Sequence, residues 1–229
     1  MEEDKKINKT EAIEEKKQDI VANEEKSDKE IIPRDTEEKD GVLTLKKPYK
    51  FEGKEYTEID LTGVAKLTIG DAIDAQEQLA PVEQVVATTS TEFIRLLAQK
   101  ATDYPVEFFK LLPRGAALNM RSTVLSVIAE DVECEDHVMK FNKPYTDEGK
   151  EYTEIDLNGL FNLTCMDESD AESKLARAHY GILQPEKIYL YACIIASKAT
   201  GQPEEFFKQL PICELIKLVN EIGHEDFLE

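Results

Sequence analysis

The sequence predicts an α+β protein made of two tandem copies of a β-hairpin followed by about four helices, preceded by a disordered acidic tail. Three observations carry this reading. The decapeptide EGKEYTEIDL stands at residues 52–61 and again, unchanged, at 148–157. Within each copy the spacing of apolar residues changes from a period of two to a helical period. Residues 1–40 are almost all Glu, Asp, Lys, Asn, Gln and Ser, with isolated Ile and Val and no aromatic residue.

The similarity extends well beyond the decapeptide. Upstream, KKPYKF (46–51) faces NKPYTD (142–147), and downstream TGVAKLTIGDA (62–72) faces NGLFNLTCMDE (158–168), all at one offset. Further on, LLAQKATDYPVEFFKLLP (96–113) faces IIASKATGQPEEFFKQLP (194–211), where the offset is two residues larger, as an insertion in a connecting loop would make it. A unit of roughly 90 to 95 residues is the size of one small domain and too long for a solenoid repeat. The expected organisation is a tail at 1–40, a first repeat at 41–131, a linker at 132–137 and a second repeat at 138–229. The linker is short enough to hold the repeats near one another without specifying their angle.

The tail cannot bury enough apolar surface to offset its ordering entropy. Its sparse Ile7, Ile13, Ile20 and Val21 form one weak helical stripe, a candidate docking segment rather than a fold. In the first repeat Leu43 and Leu45 alternate with polar residues, as do Thr57, Ile59 and Leu61, so both runs are strands. Gly53 between them supplies the positive φ of a tight hairpin turn. The Gly-Lys pair there is not a phosphate loop, because Glu55 and a strand follow it instead of Ser or Thr and a helix. Thr68 with Asp71, and Thr164 with Asp167, read as helix N-caps with acidic first turns. Ile69, Ala72, Ile73, Gln76 and Leu79 mark the first helical stripe. Phe93, Ile94, Leu97, Ala98 and Ala101 mark the second, matched by Tyr191, Ala192, Ile195, Ala196 and Ala199. A short helix with Pro105 or Pro203 in its first turn stops before Pro113 or Pro211, and a last helix follows at 117–130 and 212–223. Two strands are marginal in water, so the helices must cover the apolar face of each hairpin.

Composition narrows the function. A net charge of −20 with a pI near 4.6 describes an anionic protein repelled by nucleic acid and by anionic lipid. No apolar run approaches a membrane span, and the N-terminus lacks a signal-peptide core, so a cytosolic protein is expected. LKKPYK (45–50) is read as a solvated strand edge. Four cysteines and three histidines occur without the paired spacing of a zinc site, so neither a metal nor a cofactor is expected. With 48 Asp and Glu residues, neighbouring carboxylates carry no catalytic information. No nucleophile-base motif occurs, and no enzyme is expected.

The duplicated EFFK, at 107–110 and 205–208, is the leading recognition feature. Adjacent Phe side chains on a helix point in different directions, so one of each pair can be exposed as an apolar anchor. The candidate partner-binding residues are Phe108, Phe109, Leu112, Phe206, Phe207 and Leu210. The plainer alternative is that they straddle a wide apolar stripe facing the core.

The order LTLKKPYKFEGKEYTEIDL, a Thr-initiated helix and then LLAQKATDYPVEFFKLLP resembles the small tail assembly chaperones of tailed bacteriophages. That family shows a strand with a Pro, a short turn with Gly, a second strand, and later a Leu-Ile-Ala, Thr-Gly-Leu-Pro, Leu-Pro pattern before a terminal helix. IIASKATGQPEEFFKQLP, with a closing EDFLE, follows the later pattern more closely than the first repeat does. The resemblance covers 42–131 and 138–229, while duplication and the long tail depart from it. It implies a non-enzymatic factor that binds the tape measure protein, a long helical chain, with tail tube subunits as a further partner. It also implies action in the cytoplasm of the infected or lysogenic host and absence from the mature virion. The alternatives are a structural tail or head-tail adaptor retained in the particle, and a regulatory adaptor of a host protein.

Overall fold

The computed structural model describes residues 41–80, 88–129, 134, 136–180 and 184–223. The expected tail and linker residues 132, 133 and 135 lie outside the described residues. Both repeats fall within one compact unit. Each opens with an antiparallel hairpin: β1 (Val42–Phe51) pairs with β2 (Lys54–Asp60), and β3 (Val138–Asp147) with β4 (Lys150–Asp156). The turn residues Glu52 and Gly53 have φ of 49° and 79°, and Glu148 and Gly149 have 47° and 81°. Positive φ at both central positions matches the twist of the flanking strands, which is why the Glu-Gly pair recurs.

The registers of the two hairpins are the same residue for residue. Thr44 faces Glu58 and Tyr49 faces Tyr56, as Lys140 faces Glu154 and Tyr145 faces Tyr152. Between these pairs each first strand has an irregularity, at 45–48 and 141–144. Pro48 and Pro144 lie in these bulges, where a missing N–H breaks no ladder hydrogen bond.

Four helices follow each hairpin: α1 (Ile69–Leu79), α2 (Thr91–Lys100), α3 (Val106–Lys110) and α4 (Arg114–Ile128), then α5 (Cys165–Arg177), α6 (Tyr189–Thr200), α7 (Glu204–Gln209) and α8 (Leu215–Ile222). The chain is therefore α+β. Thr68 caps α1 reciprocally with Asp71, whose backbone N–H reaches the threonine oxygen at 3.3 Å while its carboxylate accepts from Thr68 N at 2.8 Å. At the start of α5 the Asp167 carboxylate accepts from Thr164 N at 2.9 Å. The Thr164 hydroxyl, with help from Lys198, holds the Asp167 carboxyl down at about 2. The expected stripe of α1 is buried throughout. Helix α6 buries every residue of its first two turns except Leu190, as befits a helix packed on nearly all sides. Pro105 and Pro203 sit at the N-cap of their short helices, one position earlier than the sequence pattern suggests. Pro113 starts α4 in the same way, so that helix begins three residues sooner than expected.

A 3-10 turn after each hairpin, Thr62–Lys66 and Asn158–Asn162, was not legible as an element. Its glycine has a packing reason. A Cβ on Gly63 would lie 2.1 Å from the carbonyl oxygen of Ala101, and one on Gly159 would lie 1.9 Å from that of Ala199. These oxygens are main-chain atoms at helix ends and cannot rotate away. Gly63→Ala and Gly159→Ala should each cost about 1–3 kcal/mol by overpacking, read as a fall in the urea midpoint. A midpoint within error of wild type would mean the turn moves freely from the helix.

The two repeats share a core. Ile69 N donates to Leu210 O and Ile212 N to Leu67 O, both at 2.9 Å, forming an antiparallel bridge between Thr68 and Pro211. Helix α1 packs on α6 and α7. Gln76, buried in α1, donates to Lys187 O at 3.0 Å and accepts from Tyr189 N at 2.8 Å. The first repeat thereby satisfies an orphan N–H at the start of the second repeat's central helix, which has no side-chain cap of its own. The contact is head-to-tail, so the equivalent faces on the outside are α5 and the end of α3. There Met166 stands where Gly70 lets the Lys208 backbone approach, and Arg114 stands where Ile212 is buried. A third repeat added by the same operation would meet a bulky side chain and a charge.

Candidate functional site

The six residues singled out from EFFK are core residues. Phe108, Phe206, Phe207 and Leu210 are buried to 2 % exposure or less, and Phe109 and Leu112 are also buried. This corrects their assignment as a partner surface. Phe108 lies under its hairpin with ring centroids 5.1, 5.3 and 5.0 Å from Tyr49, Phe51 and Tyr56, and stacks on Tyr104 at 4.3 Å. Phe206 lies in the same place, against Tyr145 and Tyr152. Phe109 and Phe207 turn about 81° from their neighbours. A two-stranded hairpin needs an apolar cover, and the Phe pair of each short helix provides it. Leu111, one turn on, is the exposed residue at 66 %.

An accessible concavity lies beside that cover in the first repeat. The β1 bulge, from Leu45 to Tyr49, and the first turns of α4 enclose a groove of about 570 Å³. The groove lies where α4 begins with small residues, Gly115 and Ala116, opposite the irregular stretch of β1. Leu45 and Tyr49 form its buried side, Leu118 is partly exposed in its wall, and Lys46, Lys47 and Pro48 lie exposed at its lip. The Tyr49 hydroxyl donates to Phe108 O at 2.9 Å, and burial raises its phenol pKa. The cleft is thus anchored to the aromatic core.

In the second repeat the same place is filled. Ala116 and Asn119 align with Glu214 and Lys217, whose side chains are 1 % and 3 % exposed. Glu214 accepts from the backbone N–H of Asn142 at 2.8 Å and from the Lys217 ammonium at 3.0 Å. Lys217 also donates to Lys140 O at 3.2 Å and to the Asn142 side chain. A buried ion pair plugs the second repeat and clamps its bulged strand. Sequence reasoning missed this, though the signal was available by laying 113–124 over 211–222.

A second hollow of about 410 Å³ lies between α1 and α2, lined by Asp74, Glu77, Gln78, Leu96, Gln99 and Lys100. Lys100 there bridges Asp71 at 2.7 Å and Asp74 at 2.6 Å, a solvated ion-pair surface of small energetic weight. Among the described residues, no group of three His, Cys, Asp or Glu is placed to hold a metal ion, and no helix is long and apolar enough to cross a membrane.

The cysteines differ in environment. Burial pushes the thiols of Cys193 and Cys134 up to about 12, while Cys165 is exposed at the start of α5. Iodoacetamide at neutral pH should modify Cys165 first and leave Cys193 untouched until unfolding, as read by peptide mass spectrometry. Early labelling of Cys193 would contradict its place in the core.

Compared with known proteins, the chain matches no protein-family model, no curated protein and no solved structure.

Proposed function

We propose that this protein is a non-enzymatic tail assembly chaperone of a tailed phage or prophage, and that the groove of its first repeat holds the tape measure protein. The observation that carries the reading is the contrast between the repeats: the same frame is open and apolar in one copy and plugged by Glu214 and Lys217 in the other. A protein whose two halves share a core can keep one half as scaffold and use the other to grip. The resemblance of both repeats to small tail assembly chaperones supplies the partner, a long helical chain that must be shielded before the tail tube surrounds it. Tail tube subunits are a second partner on this reading. The net charge of −20 suits the task, because a bound complex inherits repulsion that opposes co-aggregation.

The chaperone acts in the cytoplasm of the infected or lysogenic bacterium and leaves before the particle matures. The test is co-expression with the tape measure protein encoded nearby, followed by mass spectrometry of purified particles. Soluble tape measure protein co-purifying with this chain, and particles without it, is the expected outcome. Insoluble tape measure protein together with this chain in mature particles would replace the chaperone with a tail or head-tail adaptor.

A further inference from the structure

We infer that the first-repeat groove takes a carboxylate-bearing apolar protein segment, with the carboxylate on the backbone N–H of Lys46 and a neighbouring apolar side chain against Leu45, Tyr49 and Leu118. The inference rests on the groove being the partner site and specifies the chemistry of what enters it.

The second repeat is the template. There the strand's bulge presents the N–H of Asn142 to the helix, and the group that meets it is a carboxylate on an apolar stem, that of Glu214. Lys46 occupies the equivalent position, and the two hairpins have the same register on both sides of the bulge. The Lys46 N–H therefore faces the groove, toward Ala116 and Asn119, neither of which carries a carboxylate. An incoming Asp or Glu completes the arrangement that Glu214 completes internally. A charge-assisted hydrogen bond of this kind is stronger than a neutral one.

Charge agrees with geometry. In the second repeat Lys217 neutralises the buried carboxylate. In the first, Asn119 replaces that lysine, and the cations stand at the mouth: Lys46 and Lys47 on the lip and Arg114 beside the lining residues Pro113 and Gly115. A local positive rim on a protein of net charge −20 selects for an anionic group at this place and fixes the register of the bound segment. The rest of the lining is apolar, so a bare anion leaves Leu45, Pro48, Ala116 and Leu118 uncovered, and an apolar segment carrying a carboxylate covers both.

The test uses the ¹⁵N-labelled full chain and two short synthetic amphipathic peptides, one of Leu and Glu and one of Leu and Gln. The Lys46 amide should move downfield on titration with the Leu/Glu peptide. The Leu/Gln peptide should bind roughly tenfold more weakly, the loss expected for one charge-assisted hydrogen bond. Ala116→Glu/Asn119→Lys grafts the second-repeat plug, so its Lys46 amide should be shifted already and stop responding. Lys46→Glu/Lys47→Glu changes only exposed side chains and should remove the preference for the Glu peptide. Equal affinity for the two peptides, a silent Lys46 amide, or a lysine-reversal variant that keeps the preference would overturn the inference. A responding Lys46 with tape measure protein still insoluble sinks the chaperone reading alone, and retained tape measure protein without peptide selectivity sinks this inference alone.

Discussion

Phe108→Ala and Phe206→Ala are each expected to destabilise the folded chain by about 3–5 kcal/mol, the cost of removing a fully buried aromatic ring. The effect belongs at the high end because each ring covers a hairpin that is two-stranded among the described residues. Phe108 touches Tyr49, Phe51, Tyr56 and Tyr104, so its loss removes four aromatic contacts and opens a cavity between sheet and helices. Urea unfolding followed by circular dichroism should show one transition shifted to lower denaturant for either variant. The shared bridge at Thr68 and Pro211 and the Gln76 cap tie the halves into one cooperative unit. A shift of only a few tenths of a kcal/mol, or two separate transitions, would contradict the core placement or the coupling.

The second large effect concerns the plug. Glu214→Ala leaves the Lys217 ammonium buried with only Lys140 O and the Asn142 side chain, and should cost about 3–5 kcal/mol. Glu214→Ala/Lys217→Asn removes both charges and recreates the first-repeat lining, so its destabilisation should be smaller than that of the single change. The comparison is read from urea midpoints of the two variants. A double variant less stable than the single one would mean that the pair supports the fold through packing, not through mutual compensation.

Much of the fold was legible because the duplication exposes period and punctuation twice. Alternation around Leu43, Leu45 and Ile59, the Glu-Gly turn, and the Thr-Asp pairs at 68–71 and 164–167 are local signals with local causes, and the structure keeps them. The 3-10 turns were not legible, since five residues carry no period and their glycines answer to a distant carbonyl. The contact between repeats was equally hidden: Gln76 reads as a polar member of a helical stripe, and only the arrival of Tyr189 N and Lys187 O explains its burial. The candidate site failed for a related reason. EFFK states that two adjacent rings must point apart, but which direction is solvent depends on the hairpin that lies above them. The groove that replaced it depends on what is missing, small residues at 115 and 116 where the other repeat has Cys213 and Glu214, and absence has no periodicity.

On the proposed function, the first repeat grips and the second is self-occupied. The direct measurement is co-purification of soluble tape measure protein with wild type, with Ala116→Glu/Asn119→Lys and with Glu214→Ala/Lys217→Asn, each normalised to folded chain. Retention is expected for wild type and for the second-repeat variant, and loss of retention when the plug is grafted into the first groove. Full retention by the grafted variant would place the grip elsewhere on the molecule.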